Sequence, residues 1–250
     1  MECGIDLGLR DSMLNGWFNN ESGELLSGFK ISPDELILDI GCGGGHFSSF
    51  CAKHGAQIIL ADIDPDTISK AEERVRAAGP KSLRCLITNA DPIPLENESV
   101  DKIIAMEVLE HVPKPGNFVA ELFRVARPGA KILISVPGTQ SENLQKKLAP
   151  ESYFMPPNHI RIFQSNEIEF LLSSHGFIVE ERINYGFYFS LWWSFFWTCN
   201  QDLSPPWHPL LQSWENTWSL LLDSKDGYKI KQALDDLLPK SQAFLAYKPE

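Results

Sequence analysis

The segment DIGCGGG, Asp39 to Gly45, places one carboxylate and four glycines directly after the apolar run "ELIL". Glycine permits φ > 0 and lets a ligand approach the backbone without a Cβ in the way. In an open parallel sheet, ligands bind outside the carboxyl ends of the strands. The segment therefore predicts a ligand site that is built from bare backbone at the end of a buried strand.

The spacing of the glycines narrows the choice of ligand to an adenosine-bearing molecule other than the usual dinucleotides. The dinucleotide pattern G-x-G-x-x-G fails, because its third glycine would fall on His46. A phosphate-binding P-loop is excluded, because no Gly-Lys-Ser/Thr follows. The carboxylate of Asp39 would repel a pyrophosphate, whereas it suits a ligand that carries an ammonium and a sulfonium group.

Carboxylates recur where the next strands are predicted to end. Asp62, in "LADIDP", lies about 20 residues beyond the glycines, where a carboxylate accepts hydrogen bonds from ribose hydroxyls. Asp64 is better explained as the residue that starts the next helix. In "NADPIPL", Asp91 is a candidate acceptor for an adenine amino group, and Ala90 a candidate backbone donor. The segment "AMEVLEHV" ends a fourth strand at the same crevice.

These residues need a parallel sheet to bring them together, and the pattern of the chain predicts one. Apolar runs alternate with amphipathic helix patterns, which is typical of a parallel sheet covered on both faces. The predicted strands are ELILDI, QIILADI, LRCLITNA, DKIIAMEVL and AKILISVP, and the helices between them are HFSSFCAKHG, DTISKAEERVRAAG and NFVAELFRVAR.

The chain changes character after Pro137. An irregular connection, "TQSENLQKKLAPESYFMPPNHIRIF", leads to a helix that Ser165 is predicted to cap, and to the strand "FIVEERI". Before the last strand, "AFLAYKP", lies an insertion of about fifty residues with six of the seven tryptophans. We therefore divide the chain into an N-terminal helical cover over residues 1–30, a core over residues 31–185 and 240–250, and an insertion over residues 186–239.

Composition excludes several classes of protein. The net charge of −11 over 250 residues argues against a broad nucleic-acid surface. No stretch reaches the roughly 18 apolar residues of a membrane span, and the N-terminus lacks the pattern of a secretory signal. The cysteines are odd in number and form no C-x-x-C pair, which predicts reduced thiols in a cytoplasmic protein. They are Cys3, Cys42, Cys51, Cys85 and Cys199.

The motifs "LDIGCGGGHF", "ADIDP" and "NADPIPLENESVDKIIAMEVLEHVPKPGNFVAELFRVARPGAKILISVP" resemble the successive motifs of class I S-adenosylmethionine-dependent methyltransferases, over about residues 36–136. The resemblance is to the small-molecule branch that includes the ubiquinone-biosynthesis O-methyltransferases. It implies a Rossmann-like sheet of order 3-2-1-4-5-7-6 with an antiparallel last strand. The long insertion departs from many members, which have a short hairpin there.

The resemblance also implies S-adenosylmethionine as the cofactor and assigns residues to it. The methionine end would lie at the acid-and-glycine turn, the ribose at the end of the second strand and the adenine at the end of the third. The residues assigned to the cofactor are Asp39, Gly41, Cys42, Gly43, Gly45, Asp62, Ile63, Asp91 and Glu107. For Cys42, a small buried side chain in the turn is a better interpretation than a nucleophile.

Methyl transfer from a sulfonium is an in-line displacement, so such an enzyme aligns the two reactants and excludes water. The expected acceptor is a hydroxyl of a small, partly apolar metabolite, ahead of a nitrogen or a carbon. A histidine titrates in the range that suits removal of the hydroxyl proton. His111 in "EVLEHV" and His159 in "PPNHIRIF" are the candidates. Because "EVLEH" is common in the family whatever the acceptor, packing of the turn is the alternative role for His111.

A divalent metal is an alternative to a metal-free site. In ubiquinone-biosynthesis and small-RNA 2′-O-methyltransferases, a Glu-x-x-Glu-His motif at this place holds such an ion. Glu107, Glu110 and His111 match that motif, and His159 would complete the set. Oxygen and imidazole ligands suit Mg²⁺ or Mn²⁺. We predict no metal and keep this set as the alternative, together with capping of the turn by Glu110 and His111.

Two rival functions follow from the resemblance. One is an RNA 2′-O-methyltransferase, against which the acidic charge counts. The other is a non-catalytic subunit that keeps the cofactor fold as a scaffold.

The aromatic insertion has three functional interpretations, beside a helical subdomain with an ordinary core. It is a lid that walls an apolar or aromatic acceptor pocket, an element that docks on a membrane surface, or a homodimer interface. We favour the lid, because the connection leaves the sheet near the acceptor side. Trp17 and Phe18 are predicted to pack over the cofactor as a second cover.

Overall fold

The computed structural model describes residues 6–164 and 166–250. A two-stranded hairpin, β1 (Glu24–Leu26) and β2 (Phe29–Lys30), precedes a seven-stranded sheet. The strands of that sheet are β3 (Leu36–Ile40), β4 (Gln57–Asp62), β5 (Ser82–Ile87), β6 (Val100–Met106), β7 (Ala126–Pro137), β8 (Ile178–Tyr185) and β9 (Ser241–Tyr247).

The order of the strands in the sheet is β5-β4-β3-β6-β7-β9-β8. Counted within this sheet alone, that order is 3-2-1-4-5-7-6. β9 pairs antiparallel with both of its neighbours, while the pairs from β5 to β7 are parallel. The predicted Rossmann-like α/β fold is confirmed.

Nine α-helices and two short 3-10 helices lie among the described residues. The α-helices are α1 (Leu7–Met13), α2 (His46–Lys53), α3 (Pro65–Ala78), α4 (Pro115–Val125), α5 (Thr139–Gln145), α6 (Glu167–Ser174), α7 (Phe187–Thr198), α8 (Pro209–Asp223) and α9 (Gly227–Leu237). The 3-10 helices are Leu109–His111 and Glu151–Phe154. Asp64 caps α3 through the amides of Asp66 and Thr67, so its predicted role as a helix-start residue is confirmed.

Alternate residues of the parallel strands serve two separate cores, because successive side chains of a strand point to opposite faces. On β3, Leu38 joins the core that α4 and α6 cover. Its neighbour Ile37 joins the core that α2, α3 and the β1–β2 hairpin cover. Both faces of the sheet are thus buried, which explains why its central strands are apolar runs without alternation.

Two predicted boundaries are wrong. The predicted helix NFVAELFRVAR was expected to continue to Arg127. The corresponding helix α4 ends at Val125, and Ala126 already pairs with Val100 at the start of β7. The connection after Pro137 was expected to be irregular, but it contains α5 and a 3-10 helix. The predicted cap of the following helix, Ser165, lies outside the described residues.

Between β8 and β9, the chain forms α7, α8 and α9, which have a hydrophobic cluster of their own. Phe187, Tyr188 and Trp218 are its buried members, and Leu7 of α1 packs against them. Beside this cluster, the buried ammonium of Lys231 pairs with a carboxylate of α1 and one of α9. Among the described residues, the structure has no helix that is both long and apolar enough to cross a bilayer.

Candidate functional site

A cavity of about 630 Å³ lies at the carboxyl ends of β3, β4, β5 and β6. Six of the predicted site residues line it together, namely Gly41, Asp62, Ile63, Asp91, Glu107 and His111. The other predicted residues, Asp39, Cys42, Gly43, Gly45 and His159, do not line it. The cavity is where the strand-end rule expects a ligand.

The turn after β3 needs glycine for two different reasons. Gly41 has φ +69°, and a Cβ there would overlap the side chain of Val108. Gly43 has φ +48°, and a Cβ there would meet nothing within 4 Å. The first glycine is therefore required by packing, whereas the second leaves backbone open at the edge of the turn.

Asp39 supports the turn from inside the protein. Its side chain is buried, and its carboxylate accepts a hydrogen bond from Ser48 Oγ of α2 at 2.6 Å. Burial raises the pKa of Asp39 to about 6, although the hydrogen bonds from Ser48 act in the opposite direction. The structure thus places Asp39 where it ties α2 to β3.

Cys42 is a small buried side chain in the turn, as predicted. Burial, together with the negative charge of Asp39, raises the pKa of its thiol. A thiol that stays protonated is a poor nucleophile. Of the described cysteines, none forms a disulfide, and Cys3 lies outside the described residues.

Asp62 is held at the end of β4 by two backbone donors. Gly43 N donates to Oδ2 at 3.3 Å, and Asp64 N donates to Oδ1 at 3.1 Å. The half-buried carboxylate keeps further lone pairs for hydroxyl donors in the cavity. Beside it, Ile63 is 69% exposed and presents an apolar surface to the same cavity. This pair suits a ribose and an adjoining flat ring.

At the end of β5, Asp91 lines the cavity, and Asn117 Nδ2 of α4 lies 3.5 Å from its Oδ2. The neighbouring Ala90 N–H donates to Thr88 Oγ1 at 3.0 Å. That N–H is therefore not free to serve as the backbone donor that the sequence predicted.

His111 is the titratable imidazole of the cavity wall. It ends the 3-10 helix after β6, and its Nδ1 lies 3.0 Å from the carbonyl oxygen of Pro157. Because a carbonyl oxygen only accepts, Nδ1 carries the proton in the neutral ring, and Nε2 keeps its lone pair. The ring is thus prepared to accept a proton at Nε2.

His159 lies beside His111 but outside the cavity lining. The two ring centroids are 5.0 Å apart and the rings are nearly perpendicular. Ile160 N donates to the carbonyl oxygen of Glu110 at 2.9 Å, which fastens the connection after α5 to the 3-10 helix. His159 Nδ1 lies 2.8 Å from Oε2 of Glu142.

A buried carboxylate completes this part of the site. Glu110 is fully buried, and neither of its carboxylate oxygens has a hydrogen-bond partner among the described residues. Burial, reinforced by the nearby charge of Glu107, raises the pKa of Glu110 well above its usual range. One ligand atom each of Glu110, His111 and His159 lie within 4.8 Å of one another.

Glu107 lies outside that group of three, although the alternative metal set included it. Its Oε1 accepts from Ser135 Oγ at 3.0 Å, and its Oε2 faces Lys240 Nζ at 3.4 Å. Of the four residues in the alternative metal set, Glu110, His111 and His159 therefore lie together, whereas Glu107 forms an ion pair with Lys240.

The family model of the methyltransferase domain matches residues 38–134 of this chain. That segment contains the glycine turn, the strand-end carboxylates and His111. This match and the fold identify residues 38–134 as a class I S-adenosylmethionine-dependent methyltransferase domain. The cofactor of this class, S-adenosylmethionine, fits the open backbone at Gly43, the available carboxylate of Asp62 and the exposed side chain of Ile63.

Two similar proteins are named as methyltransferases. A ubiquinone biosynthesis O-methyltransferase of Hahella chejuensis is 36% identical over 103 residues, which cover 41% of this chain and 43% of that protein. Another, of Hydrogenovibrio crunogenus, is 26% identical over 193 residues, 68% of this chain and 78% of that protein. This methyltransferase chain thus spans less than half the length of the first relative.

The fold of this methyltransferase recurs in solved structures. The structure of an S-adenosylmethionine-dependent methyltransferase from Mesorhizobium loti has a TM-score of 0.57 and 15% sequence identity. The comparison covers 86% of this chain and 92% of that one. At such low identity the likeness concerns the fold alone.

Two charged residues of the methyltransferase site were missed by the sequence analysis. Lys240 precedes β9, and because β9 runs antiparallel to β7, its start lies at the carboxyl end of β7. The predicted strand order was therefore enough to place Lys240 at the same edge of the sheet as the site. Glu142 lies on α5, in a segment that was expected to be irregular, and its polar surroundings in the sequence gave no sign of burial.

Aromatic side chains lie next to the glycine turn and next to the histidine pair. Trp17 is buried and packs on Phe47, which follows the glycine turn, with ring centroids 5.6 Å apart. On the other side, Tyr153 lies between His159 and Trp197 of α7, with centroid distances of 4.7 and 5.4 Å. The insertion thus reaches the histidine pair through one intervening ring.

Proposed function

We propose that this chain transfers the methyl group of S-adenosylmethionine to a hydroxyl oxygen of a small, partly apolar acceptor. The observation that carries the proposal is the geometry of His111, which lines the cavity with its Nδ1 3.0 Å from the carbonyl oxygen of Pro157, so that Nε2 is the nitrogen available to act as a base. A base of this kind is what a hydroxyl acceptor needs. The names of the relatives above, which specify O-methylation, support oxygen as the acceptor atom.

In this mechanism, S-adenosylmethionine supplies an electrophilic methyl group on a positively charged sulfur. Asp62 and the backbone at Gly43 would hold the nucleoside and the amino-acid tail, and so fix the direction of the displacement. A lone pair of the acceptor oxygen would form the new bond to the methyl carbon, and the electron pair of the carbon–sulfur bond would remain on sulfur. His111 Nε2 takes the hydroxyl proton, which neutralises the oxonium as the bond forms.

The charges and apolar groups around His111 favour a neutral acceptor. Glu107 pairs with Lys240, and burial raises the pKa of Glu110, which favours its uncharged form. The ion pair leaves Lys240 without a free positive charge to hold an anionic acceptor. The cavity wall also contains apolar side chains, among them Val112 and Phe118. A phenol or an apolar alcohol matches both features.

Transfer of an isotope-labelled methyl group to a matched set of small aromatics tests the proposal. The set is catechol, aniline and thiophenol, with mass spectrometry to identify the methylated atom. We expect an O-methyl product from catechol, and His111→Gln should lower kcat about a hundredfold or more while the cofactor Kd stays within twofold. Methylation of nitrogen alone, or an unchanged kcat in the variant, would contradict the proposal. Cofactor binding without any transfer would favour the scaffold alternative.

A metal-dependent form of the same reaction is the second candidate, favoured by the group of Glu110, His111 and His159. The buried Glu110 oxygens without hydrogen-bond partners, together with two imidazoles, are a donor set that fits Mn²⁺ better than Mg²⁺. A bound ion would polarise the acceptor oxygen. Treatment with a chelator, followed by titration of Mg²⁺ and Mn²⁺, separates the two forms. Undiminished turnover after chelation would exclude the metal-dependent form of the reaction.

An RNA acceptor is disfavoured by the net charge of −11. A single-stranded RNA oligomer in the same transfer assay tests that expectation.

A further inference from the structure

His159 has a buried acidic partner that no sequence motif indicates. Glu142 of α5 is 1% exposed, and its Oε2 lies 2.8 Å from His159 Nδ1. Its Oε1 has no hydrogen-bond partner among the described residues. The His159 imidazole is therefore the one described side chain to which this buried carboxylate is hydrogen-bonded.

The helix that carries Glu142 is held from two sides. On one side, Thr139 Oγ1 donates to the carbonyl oxygen of Phe163 at 2.6 Å. On the other, Ser190 Oγ of α7 donates to Ser141 Oγ at 3.1 Å, and Gln145 Nε2 donates to Ser194 Oγ of α7 at 3.2 Å. All three bonds involve buried side chains of α5, and two of them join α5 to α7, so the insertion helps to fix the position of the Glu142 backbone.

The chemistry of the pair determines where the histidine proton lies. An ionised carboxylate only accepts hydrogen bonds, so a short contact with Nδ1 places the proton on that nitrogen. The lone pair is then on Nε2, at the opposite side of the ring. A carboxylate that fixes a histidine tautomer in this way is a recurrent arrangement, both for proton acceptors and for metal-binding histidines.

We infer that Glu142 is a positioning residue, whose buried carboxylate fixes the His159 proton on Nδ1 and keeps Nε2 unprotonated beside Glu110 and His111. Because α7 of the insertion holds the helix that carries Glu142, the insertion contributes to the position of the His159 ring. The tautomer follows from the contact of Nδ1 with an ionised carboxylate, and does not depend on the proposed function. The consequence for methyl transfer rests on the proposed function.

Nitrogen NMR of the full chain tests the tautomer without any acceptor. Protein labelled with ¹⁵N-histidine would show His159, assigned by loss of its signals in His159→Gln, with a protonated Nδ1 and an unprotonated Nε2. In Glu142→Ala we expect the proton to move mainly to Nε2. Asn143→Ala, an exposed change on the same helix, is the matched control and should leave the spectrum of His159 unchanged.

Two results would overturn the inference: a wild-type His159 protonated on Nε2, or a Glu142→Ala spectrum that keeps the wild-type tautomer. If Glu142→Ala does not fold, Glu142→Gln takes its place. Glutamine has nearly the same shape but no charge, and its amide can donate to Nδ1, so the preference for the Nδ1 proton should still be lost.

A double-mutant cycle with catechol as the acceptor tests the catalytic consequence. If Glu142 acts through His159, adding Glu142→Ala to His159→Ala should change kcat less than twofold, although Glu142→Ala alone lowers it at least tenfold. Independent, multiplying effects would mean that Glu142 has only a structural role. An inactive wild-type protein would count against the proposed function, and the NMR result would still decide the role of Glu142.

Discussion

Gly43 and Asp62 are joined by a hydrogen bond from the backbone N–H of the first to Oδ2 of the second, over 3.3 Å. This bond connects the turn after β3 to the end of β4. The groups assigned to the methionine part and to the ribose of the cofactor are therefore positioned by each other before any ligand binds. A preorganised site of this kind reduces the entropy cost of binding.

Replacement of Asp62 by alanine should weaken cofactor binding about tenfold to a hundredfold, because hydrogen bonds to a charged acceptor contribute roughly 1.5–3 kcal/mol. Calorimetry with S-adenosylhomocysteine measures the change. Asp64→Ala is the matched control, since Asp64 is fully exposed and caps α3. That variant should lose about 1 kcal/mol of stability and keep its affinity. Equal affinities in wild type and Asp62→Ala would refute the ribose assignment.

Gly43→Ala should reduce cofactor affinity more than it reduces stability. A Cβ at this position meets no protein atom within 4 Å, so the variant folds with only the strain of φ +48°, about 1 kcal/mol. The added methyl group would occupy space that the ligand needs. Gly79→Ala, at the end of α3, also combines a positive φ with open space and serves as the control. Both variants should lose similar stability in urea, and loss of affinity in both, or in neither, would contradict the role of Gly43.

Asp39 should make the stability of the ligand-free protein fall as pH rises from 5 to 7. Its pKa is about 6 in the folded state and 3.8 in an unperturbed chain, so the folded state binds the proton more tightly. The resulting stabilisation is complete below pH 3.8 and is lost as pH passes 6. Between pH 5 and 7, wild type should lose about 1 kcal/mol relative to Asp39→Asn, which keeps an acceptor for Ser48. Urea unfolding at both values measures the difference, and parallel pH profiles would show that Asp39 is ionised throughout.

The core of the fold was predictable because its determinants are local. Each apolar run of four to six residues bounded by a glycine or an acid specified a strand, and the strand-end rule then placed Asp62 and Asp91 in one cavity. The early start of β7 was not predictable in the same way. Pro128 and Gly129 suggest the end of a helix, but the pairing of Ala126 with Val100 is a contact between distant segments.

The predictions for the site failed where a side chain depends on tertiary packing. Nothing in "TQSENLQ" distinguishes the buried Glu142 from the exposed Asn143 next to it, because their difference comes from α7 and His159. In the same way, Glu107 and Glu110 belong to one motif, yet the ammonium of Lys240 pairs with the first, while the carboxyl oxygens of the second have no hydrogen-bond partner among the described residues. Burial of that kind is set by elements more than 100 residues away in the sequence.

Lys231→Met should destabilise the protein strongly and loosen α1 from the insertion. The buried ammonium of Lys231 lies 2.6 Å from Asp235 and 3.4 Å from Asp11 of α1, and the variant would leave both buried carboxylates without their cation. The expected loss is about 3–5 kcal/mol of unfolding free energy in urea, with faster proteolysis after α1. Lys229→Met is the control, because Lys229 is on the same helix, is 80% exposed and pairs only at the surface, so it should change stability by less than about 1 kcal/mol. Equal effects of the two variants would mean that the buried ion pairs do not fasten α1.

Asp11→Asn combined with Lys231→Met should recover part of the loss, since it removes one of the two unpaired charges.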